Sequence, residues 1–547
     1  MEDELTITFE DGRTIEVDYG TKVRDLLNYL DDDNIIALRI NGAAVHADYE
    51  LIEDSKVNFI NKEDRNGKKI YIAGLKYVYI TAIKDVLGPK TSVNIKHSLD
   101  KGLYTTIDGL DKVEKSLIDK IKKRMNEIIK ADMTINAINV SKDDIIEYVT
   151  GNNEYEKILN YTYMTNDSVT MYELDGDYNY FYDILPASTG ILKLFDLKII
   201  KPNGIVLSYP IDGVVPNYNP TAKVLQAFQT YEDRLKGLGV KYAGDLNKLT
   251  VESKIADFIQ VNEIIYDENL NDIAGMIDKN REIRAIFISG PSSSGKTTTS
   301  KKLALALNTF GLDTMVLSTD DYFVEREDSP RKPDGSYEFE IIDAIDTNLF
   351  NTQIKDLLDG KDVVIPTFNF ITGKKEYKRK PVSLKKNQIL VVEGLHAISE
   401  RMSSAIKKEN KLRLYISPFM PIALDRHNHI KTTDLRLIRR MVRDYNHRGY
   451  TAEQTLTNWM GMRHSEETYI YPYQREADIV INTSLAYEVG VLRTYAVPLL
   501  YSISRDSEFY EEAIRLLKFM KCFINIPSEL VPQNSVLREF IGNSYFE

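Results

Sequence analysis

One cysteine, Cys522, stands in a chain of 547 residues, which excludes an intrachain disulfide and any cysteine-rich metal centre. Long apolar runs are also missing. No stretch approaches the roughly 18 apolar residues needed to span a bilayer, and the opening MEDELTITFEDG has neither a basic n-region nor an apolar h-region, so a cytoplasmic protein is expected. Positive charge is scarce. The net charge is -12, and within residues 1–60 there are 15 Asp or Glu against 5 Lys or Arg, a net of -10. So acidic a segment is a poor partner for phosphate backbones, and nucleic acid is not an expected ligand of that surface. What is present, 43% hydrophobic and 28% charged residues, is an ordinary globular composition, and the length predicts three or four domains.

The most informative stretch is IFISGPSSSGKTT, residues 286–298. It reads as a buried strand, a glycine-rich loop and a helix that Gly311 ends. Gly290, Gly295, Lys296 and Thr297 complete a GxxxxGK[ST] phosphate loop in the context that motif requires. Backbone N–H groups along Ser292, Ser293, Ser294 and Gly295 are expected to turn toward phosphate oxygens, and Thr298 opens the helix whose N-terminus adds positive charge. Lys296 is expected to reach the β and γ phosphates, and the Thr297 hydroxyl to coordinate Mg²⁺. Such a loop serves kinases, GTPases and motor ATPases alike, so the acceptor side must decide among them.

Taken in order, residues 1–61 alternate apolar and polar (Leu5, Ile7, Phe9), then predict a helix over Val23 to Leu30 and strands at Ala37 to Ile40 and Lys56 to Ile60. This pattern is a small ubiquitin-like α+β fold. The run INGAAVHADYELIEDSKVNFI resembles the TGS domain that begins threonyl-tRNA synthetases. Residues 62–205 resemble the second additional domain of the same enzymes, with GLKYVYITAIKDVLG at the place of its HxxxH helix and a long helix at Asp111 to Lys130. The resemblance implies an editing fold without editing chemistry, because Ala73, Tyr77, Asp183 and Ala187 stand where that site has its histidines and cysteine. His97 is expected to be a hydrogen-bonded structural residue. Residues 206–282 read as a helical connector (Lys223 to Leu238, Asn269 to Lys279), and 484–547 as a C-terminal helical cap. Between them, 283–483 alternate strands (Thr314 to Ser318, Asp362 to Ile365, Gln388 to Val392, Lys411 to Ile416, Asp478 to Asn482) with helices, which predicts an α/β parallel sheet covered on both faces.

Four ordered motifs in this last region resemble the uridine kinase and phosphoribulokinase family. LSTDDYF matches a strand-end run whose first aspartate takes the proton of the acceptor hydroxyl, a role that falls on Asp320; Asp321 is expected to cap a helix or to stand behind the site. YEFEIIDAIDTNLF places Glu340 where the family binds ribose hydroxyls, with Asp343 a further substrate contact and Asp346 the start of a helix. VVEGLHA puts Glu393 after an apolar strand, at a Mg²⁺-binding position, and leaves His396 to orient the loop. LRLIRRMVRDYNHRG places Arg436, Arg439, Arg440 and Arg443 on one helical face, with Arg448 beyond the turn. The resemblance implies that they close over the nucleotide, Arg440 and Arg443 acting in catalysis and Arg448 in substrate binding.

The departures bear on the substrate. Phe368 and Gly373 stand where uridine kinases contact the pyrimidine with Tyr and His, and Tyr450 replaces the last lid arginine. Phe368 can stack on a base but lacks the hydroxyl, so looser base selectivity is expected. The expected activity is transfer of the ATP γ-phosphate to a nucleoside 5′-hydroxyl, with ATP and Mg²⁺ as cofactors. A sugar-phosphate kinase, using Lys374 or Lys375 in its acceptor pocket, stays open. So do a nucleotide-gated protein that binds tRNA or a synthetase, with the basic run Lys120 to Arg124 as its contact, and a homo-oligomeric state.

Overall fold

Leu5, Ile7 and Phe9 turn inward from one strand, and Val23 and Leu26 of helix Val23–Leu30 cover them. In this computed structural model, which describes residues 4–99, 102–152, 154–164, 167–217, 222–332 and 335–546, they belong to a five-stranded sheet. Its order is Thr14–Asp18, Glu4–Phe9, Ser55–Asn61, Ile35–Ile40, Ala43–Val45, and only the Glu4–Phe9 and Ser55–Asn61 pair is parallel. This is the expected ubiquitin-like unit.

Helix Arg65–Leu87 follows. It is apolar on most sides, and a helix with no polar face must lie inside. It crosses the core of the second unit, between an antiparallel sheet ordered Asp196–Ile200, Gly204–Ser208, Gly102–Ile107, Val93–Leu99 and helix Lys115–Lys130. A second sheet, Asp177–Asn179, Ser168–Leu174, Asn136–Ser141, extends this α+β unit. His97, expected to be a hydrogen-bonded structural residue, is instead packed by stacking. Its ring lies 3.6 Å from that of Phe228, Nε2 has no partner among the described residues, and burial holds its pKa down to about 3.

The connector is more helical than expected. Besides Ala222–Gly237 and Ala243–Val251, one helix runs from Ile255 to Lys279, because Ile255, Phe258, Ile259 and Tyr266 continue its buried face upstream of Asn269. The kinase-like sheet is parallel throughout, in the order Asp313–Ser318, Gln388–Glu393, Ala285–Ser289, Lys411–Ser417, Ile479–Asn482. Its central strand feeds two cores. Ile286 and Ile288 meet Leu303 and Leu307 on one face, while Ala285 and Phe287 join Phe350 and Ile354 on the other. Asp362 to Ile365 does not join this sheet. It forms a lone bridge, Val363 with Val382, and Pro366, next in sequence, has no N–H with which to extend a ladder. The C-terminal region begins with helices Glu488–Tyr501 and Tyr510–Met520, but among the described residues after Met520 most are irregular and only the turn Arg538–Ile541 is α-helical.

Segment 424–431 of the kinase-like unit is docked into the second unit. Ile95 N–H donates to Arg426 O (2.7 Å), Ser98 Oγ meets His429 Nε2 (3.0 Å), His427 Nδ1 contacts Asn179 and Lys157, and Lys431 pairs with Asp183 (2.8 Å). Asp183 and Tyr77, which the resemblance leads one to expect at two editing positions, are both engaged in other contacts. The first binds kinase-side cations, and the second donates to Tyr172 O (2.9 Å). Burial would raise the Asp183 carboxyl, yet Lys431 and Arg515 hold it well below its ordinary range. Nearby, Arg515 is bidentate to Asp434 (2.7 Å each) and bonded twice to Glu512 (3.0 Å each), and Glu512 also pairs with Lys69 of the Arg65–Leu87 helix.

Removing one member of such a buried network leaves the others unpaired, at a cost of about 3–5 kcal/mol. Arg515→Met is therefore expected to lower the thermal midpoint of the whole chain sharply and to expose helix Arg65–Leu87 to hydrogen exchange. An unchanged midpoint would mean that the units are not coupled through these charges.

Candidate active site

Strand Ala285–Ser289 delivers the chain to the loop at the carboxyl edge of the sheet. At Gly290 there is no room for a side chain, since a Cβ would lie 2.2 Å from Ile416 O. Ser293 and Gly295 then take positive φ, +59° and +85°, a conformation that costs a non-glycine residue about 1–2 kcal/mol. Three bonds from outside hold the curve. Arg436 Nε donates to Ser292 O (2.8 Å), Arg439 Nη1 to Ser293 O (3.4 Å) and Thr483 Oγ1 to Ser294 O (2.6 Å). In a trans peptide the carbonyl and the following N–H point in opposite directions, so the amides of Ser293, Ser294 and Gly295 face into the loop. The hydroxyls of Ser293 and Ser294 are buried with no hydrogen-bond partner among the described residues. Inward amides and orphaned hydroxyls form a donor set that suits an oligophosphate.

Helix Lys296–Asn308 starts from this loop, and Lys296 folds back to donate to Gly290 O (3.0 Å) and Pro291 O (3.1 Å). Two neighbouring strands bring carboxylates to the same edge. Ser318 pairs in register with Glu393, and the backbone then turns at Gly394, where a Cβ would lie 1.8 Å from Thr319 Oγ1. Ser318 Oγ caps the following 3₁₀ turn by accepting from Asp320 N–H (3.3 Å). Burial is the main force on all three groups. It lowers the Lys296 pKa against the pull of Glu393 and Asp320, raises that of Asp320, and raises that of Glu393 to about 7 with help from the Asp320 charge. Glu340 is raised by burial as well, and His396 Nε2 holds its carbonyl at 2.8 Å. Burial keeps His396 neutral, its pKa down to about 4, so Nε2 acts as the donor. Thr297 and Glu393 lie at the edge where a cation would meet the phosphates. Among the described residues no cluster of three metal-ligating His, Cys, Asp or Glu side chains occurs; a Mg²⁺ held by one or two protein ligands would complete its shell with phosphate oxygens and water.

The arginine helix, Thr432–Arg448, divides into two sets. Arg436 and Arg439 are wholly enclosed. Arg436 pairs with Glu466 and donates to Tyr471 OH (2.8 Å); Arg439 is bidentate to Glu488 (2.6 and 3.0 Å) and donates to Thr483 O (2.9 Å). They grip the loop from behind and do not close over it. Arg440, Arg443 and Arg448 form the other set, and all three meet the buried carboxylate of Asp444, at 3.1, 3.2 and 3.3 Å. Arg440 also reaches Ser292 Oγ (3.1 Å).

On the acceptor side, Phe368 lies in an aromatic cluster with Phe323 (5.5 Å) and Phe370 (5.2 Å), and Phe323 also faces Phe339 (6.3 Å). Asp343 points away to Arg401 (2.7 Å) and is largely exposed, so the structure does not gather it with Asp320 and Glu340. Asp346 caps helix Thr347–Leu358, as its sequence position implies, and binds Lys375 (2.6 Å). Asp321 is paired with Arg379 (2.9 Å) and does not serve as a cap.

Several residues of the site carry no motif. Glu466 accepts from Ser292 N–H (2.8 Å) while holding Arg436, and Glu539, from the far C-terminal region, accepts from Thr298. Asp444 alone had a readable signal, lying four residues from both Arg440 and Arg448 on one helix.

Residues 285–489 match the family described as Phosphoribulokinase / Uridine kinase family. A uridine kinase of Borrelia duttonii is 30% identical over 208 residues, which is 36% of this chain and 86% of that protein. The N-terminal region is similar to threonine–tRNA ligases: that of Clostridium kluyveri is 28% identical over 177 residues, 32% of this chain and 28% of the ligase. That of Desulforamulus reducens is 26% identical over 208 residues, 38% of this chain and 32% of the ligase. The chain thus spans under a third of the length of these ligases. Its kinase-like unit covers most of the Borrelia enzyme, and with the parallel sheet and phosphate loop described above, the chain belongs to the phosphoribulokinase and uridine kinase family.

Proposed function

We propose that this protein is an ATP- and Mg²⁺-dependent kinase that phosphorylates the 5′-hydroxyl of a nucleoside. The observation that carries the reading is the convergence of Lys296, Asp320 and Glu393 at the carboxyl edge of three adjacent strands, beside the phosphate loop. A carboxylate raised by burial, yet next to a lysine, suits acceptance of a proton from an alcohol. In this mechanism Asp320 orients the acceptor hydroxyl and takes its proton as the oxygen bonds to the γ-phosphorus. The bond to the β–γ bridging oxygen breaks, and its electron pair leaves with ADP. Lys296, Arg440 and Arg443 meet the charge on the transferred group, and Arg448 and the loop amides fix the nucleotide. Thr297 and Glu393 would hold Mg²⁺, which supplies charge neutralisation between the phosphates. Glu340 would accept from the sugar hydroxyls, with Asp343 a peripheral contact at most because of its bond to Arg401.

The Phe323, Phe339, Phe368 and Phe370 cluster supports a nucleoside, since an aromatic wall suits a base and offers nothing to a second phosphate. The sugar-phosphate alternative asked for a basic acceptor pocket, and Lys375 is committed to Asp346. A tRNA contact through Lys120 to Arg124 draws little support as well, because Lys122 pairs with Asp196 and Arg124 with Asp85.

Four outcomes test the reading. ADP release from MgATP is expected to be stimulated by one or more nucleosides, with the 5′-monophosphate as product; no stimulation by any nucleoside, with pentose phosphates active instead, would overturn it. Asp320→Asn is expected to lower kcat by about 10²–10⁴-fold with little change in ATP affinity, and near-normal turnover would remove Asp320 from the base role. Gly290→Ala, which drives a Cβ onto Ile416 O, is expected to abolish ATP binding in titration calorimetry. At limiting Mg²⁺, turnover is expected to fall below about pH 7 as protons compete for Glu393, and excess Mg²⁺ to move that limb to lower pH. A limb insensitive to Mg²⁺ would take Glu393 out of the metal site.

A further inference from the structure

One N–H group at the start of the loop helix is already taken. The carboxylate of Glu539, on the turn Arg538–Ile541, accepts from Thr298 N–H at 3.1 Å and from its hydroxyl at 2.8 Å. Thr298 is the third residue of helix Lys296–Asn308, where an amide has no acceptor of its own. In a phosphate loop the amides of this region serve the nucleotide's phosphates. The Glu539 carboxylate has the charge sign and the acceptor-only oxygens of a phosphate, and it engages two donors that a phosphate would engage.

The backbone carrying Glu539 is fixed. Val536, Leu537 and Phe540 are buried, and Val536 Cγ2 would stand 2.5 Å from a Cβ on Gly295. Lys301 Nζ donates to Phe546 O (2.6 Å), Lys302 Nζ to Asn534 O (3.0 Å) and Asn446 Nδ2 to Phe540 O (3.2 Å). The Arg439 guanidinium, which also grips the loop, lies 4.9 Å from the Phe540 ring centroid. With the turn held this firmly, only the Glu539 side chain has to rotate for a phosphate to take its donors. The charge of Glu539 is also felt by Lys296, Arg443 and Glu393, so its departure changes the field over the whole site.

We propose that Glu539 is a built-in competitor for the nucleotide's phosphate chain at the Thr298 end of the loop, so that the C-terminal segment sets nucleotide affinity and helps expel the product nucleotide. The proposal rests on the reading of the loop as an ATP site, but its failure is separable from failure of that reading. The test is titration calorimetry of full-length wild type and Glu539→Gln with ATP, ADP and adenosine. Glutamine keeps the shape and removes the charge. The expected result is ATP and ADP affinity raised roughly tenfold, as a charge-assisted bond gives way to a neutral one, with adenosine affinity unchanged. Equal or weaker ATP affinity in the variant overturns the proposal and leaves the kinase reading standing; ATP binding by neither protein overturns both. A second variant guards against a misfolded first one. Glu539→Asp keeps the charge but shortens the side chain so that it no longer reaches Thr298, and it is expected to raise ATP and ADP affinity as well; equal or weaker ATP affinity in Glu539→Asp overturns the proposal even if Glu539→Gln does not fold.

Discussion

Two buried guanidiniums set the shape on which the site depends. A loop that aims its amides inward must aim its carbonyls outward, and carbonyls pressed against protein need donors. Arg436 and Arg439 supply them for Ser292 and Ser293, and each needs a carboxylate in turn, Glu466 and Glu488. These four charges are enclosed, so they hold the loop only as a complete set; remove one and another is left bare. The loop's curvature is therefore maintained by the arginine helix and by the Ala452–Tyr469 and Glu488–Tyr501 helices that carry the two glutamates.

The fold was largely legible because its signals are local. Alternation at Leu5, Ile7 and Phe9, the glycine-bearing loop after Ala285 to Ile288, and apolar strands ending in Ser318 and Glu393 each dictate structure within a few residues. The loop was readable for the same reason, whereas Asp320, Glu340 and Glu393 were suggested by motifs that resemble those of the family. What escaped was long-range. The helical spacing of Arg436, Arg439, Arg440 and Arg443 shows a shared face but not which carboxylate each member finds, and that choice separates two anchors of the loop, held by Glu466 and Glu488, from two held by Asp444 on their own helix. Asp343 was placed by its neighbours in the motif, whereas Arg401, far along the chain, decides where it points. Glu466 and Glu539 are single glutamates with no spacing to mark them, brought to the loop only by tertiary packing.

In the second unit Asp183 is bound to Lys431, Tyr77 is bonded to backbone carbonyls, and segment 424–431 is packed alongside. That segment leads directly into the arginine helix, which begins at Thr432. The unit thus positions the first turn of the helix whose guanidiniums shape the phosphate loop.

The pairing of Lys69 with Glu512 joins positions 443 residues apart, and Arg39 with Glu511 spans a still longer stretch. A ribosome adds about 5–20 residues per second, so Lys69 waits on the order of 20–90 s after its own synthesis before its partner exists. Until then the helix that carries it cannot bury that ammonium without cost. The N-terminal units accordingly complete their packing only after the last helices leave the exit tunnel. For this chain, a truncated translation product lacks more than its missing residues: it also lacks the charges that close the units made first.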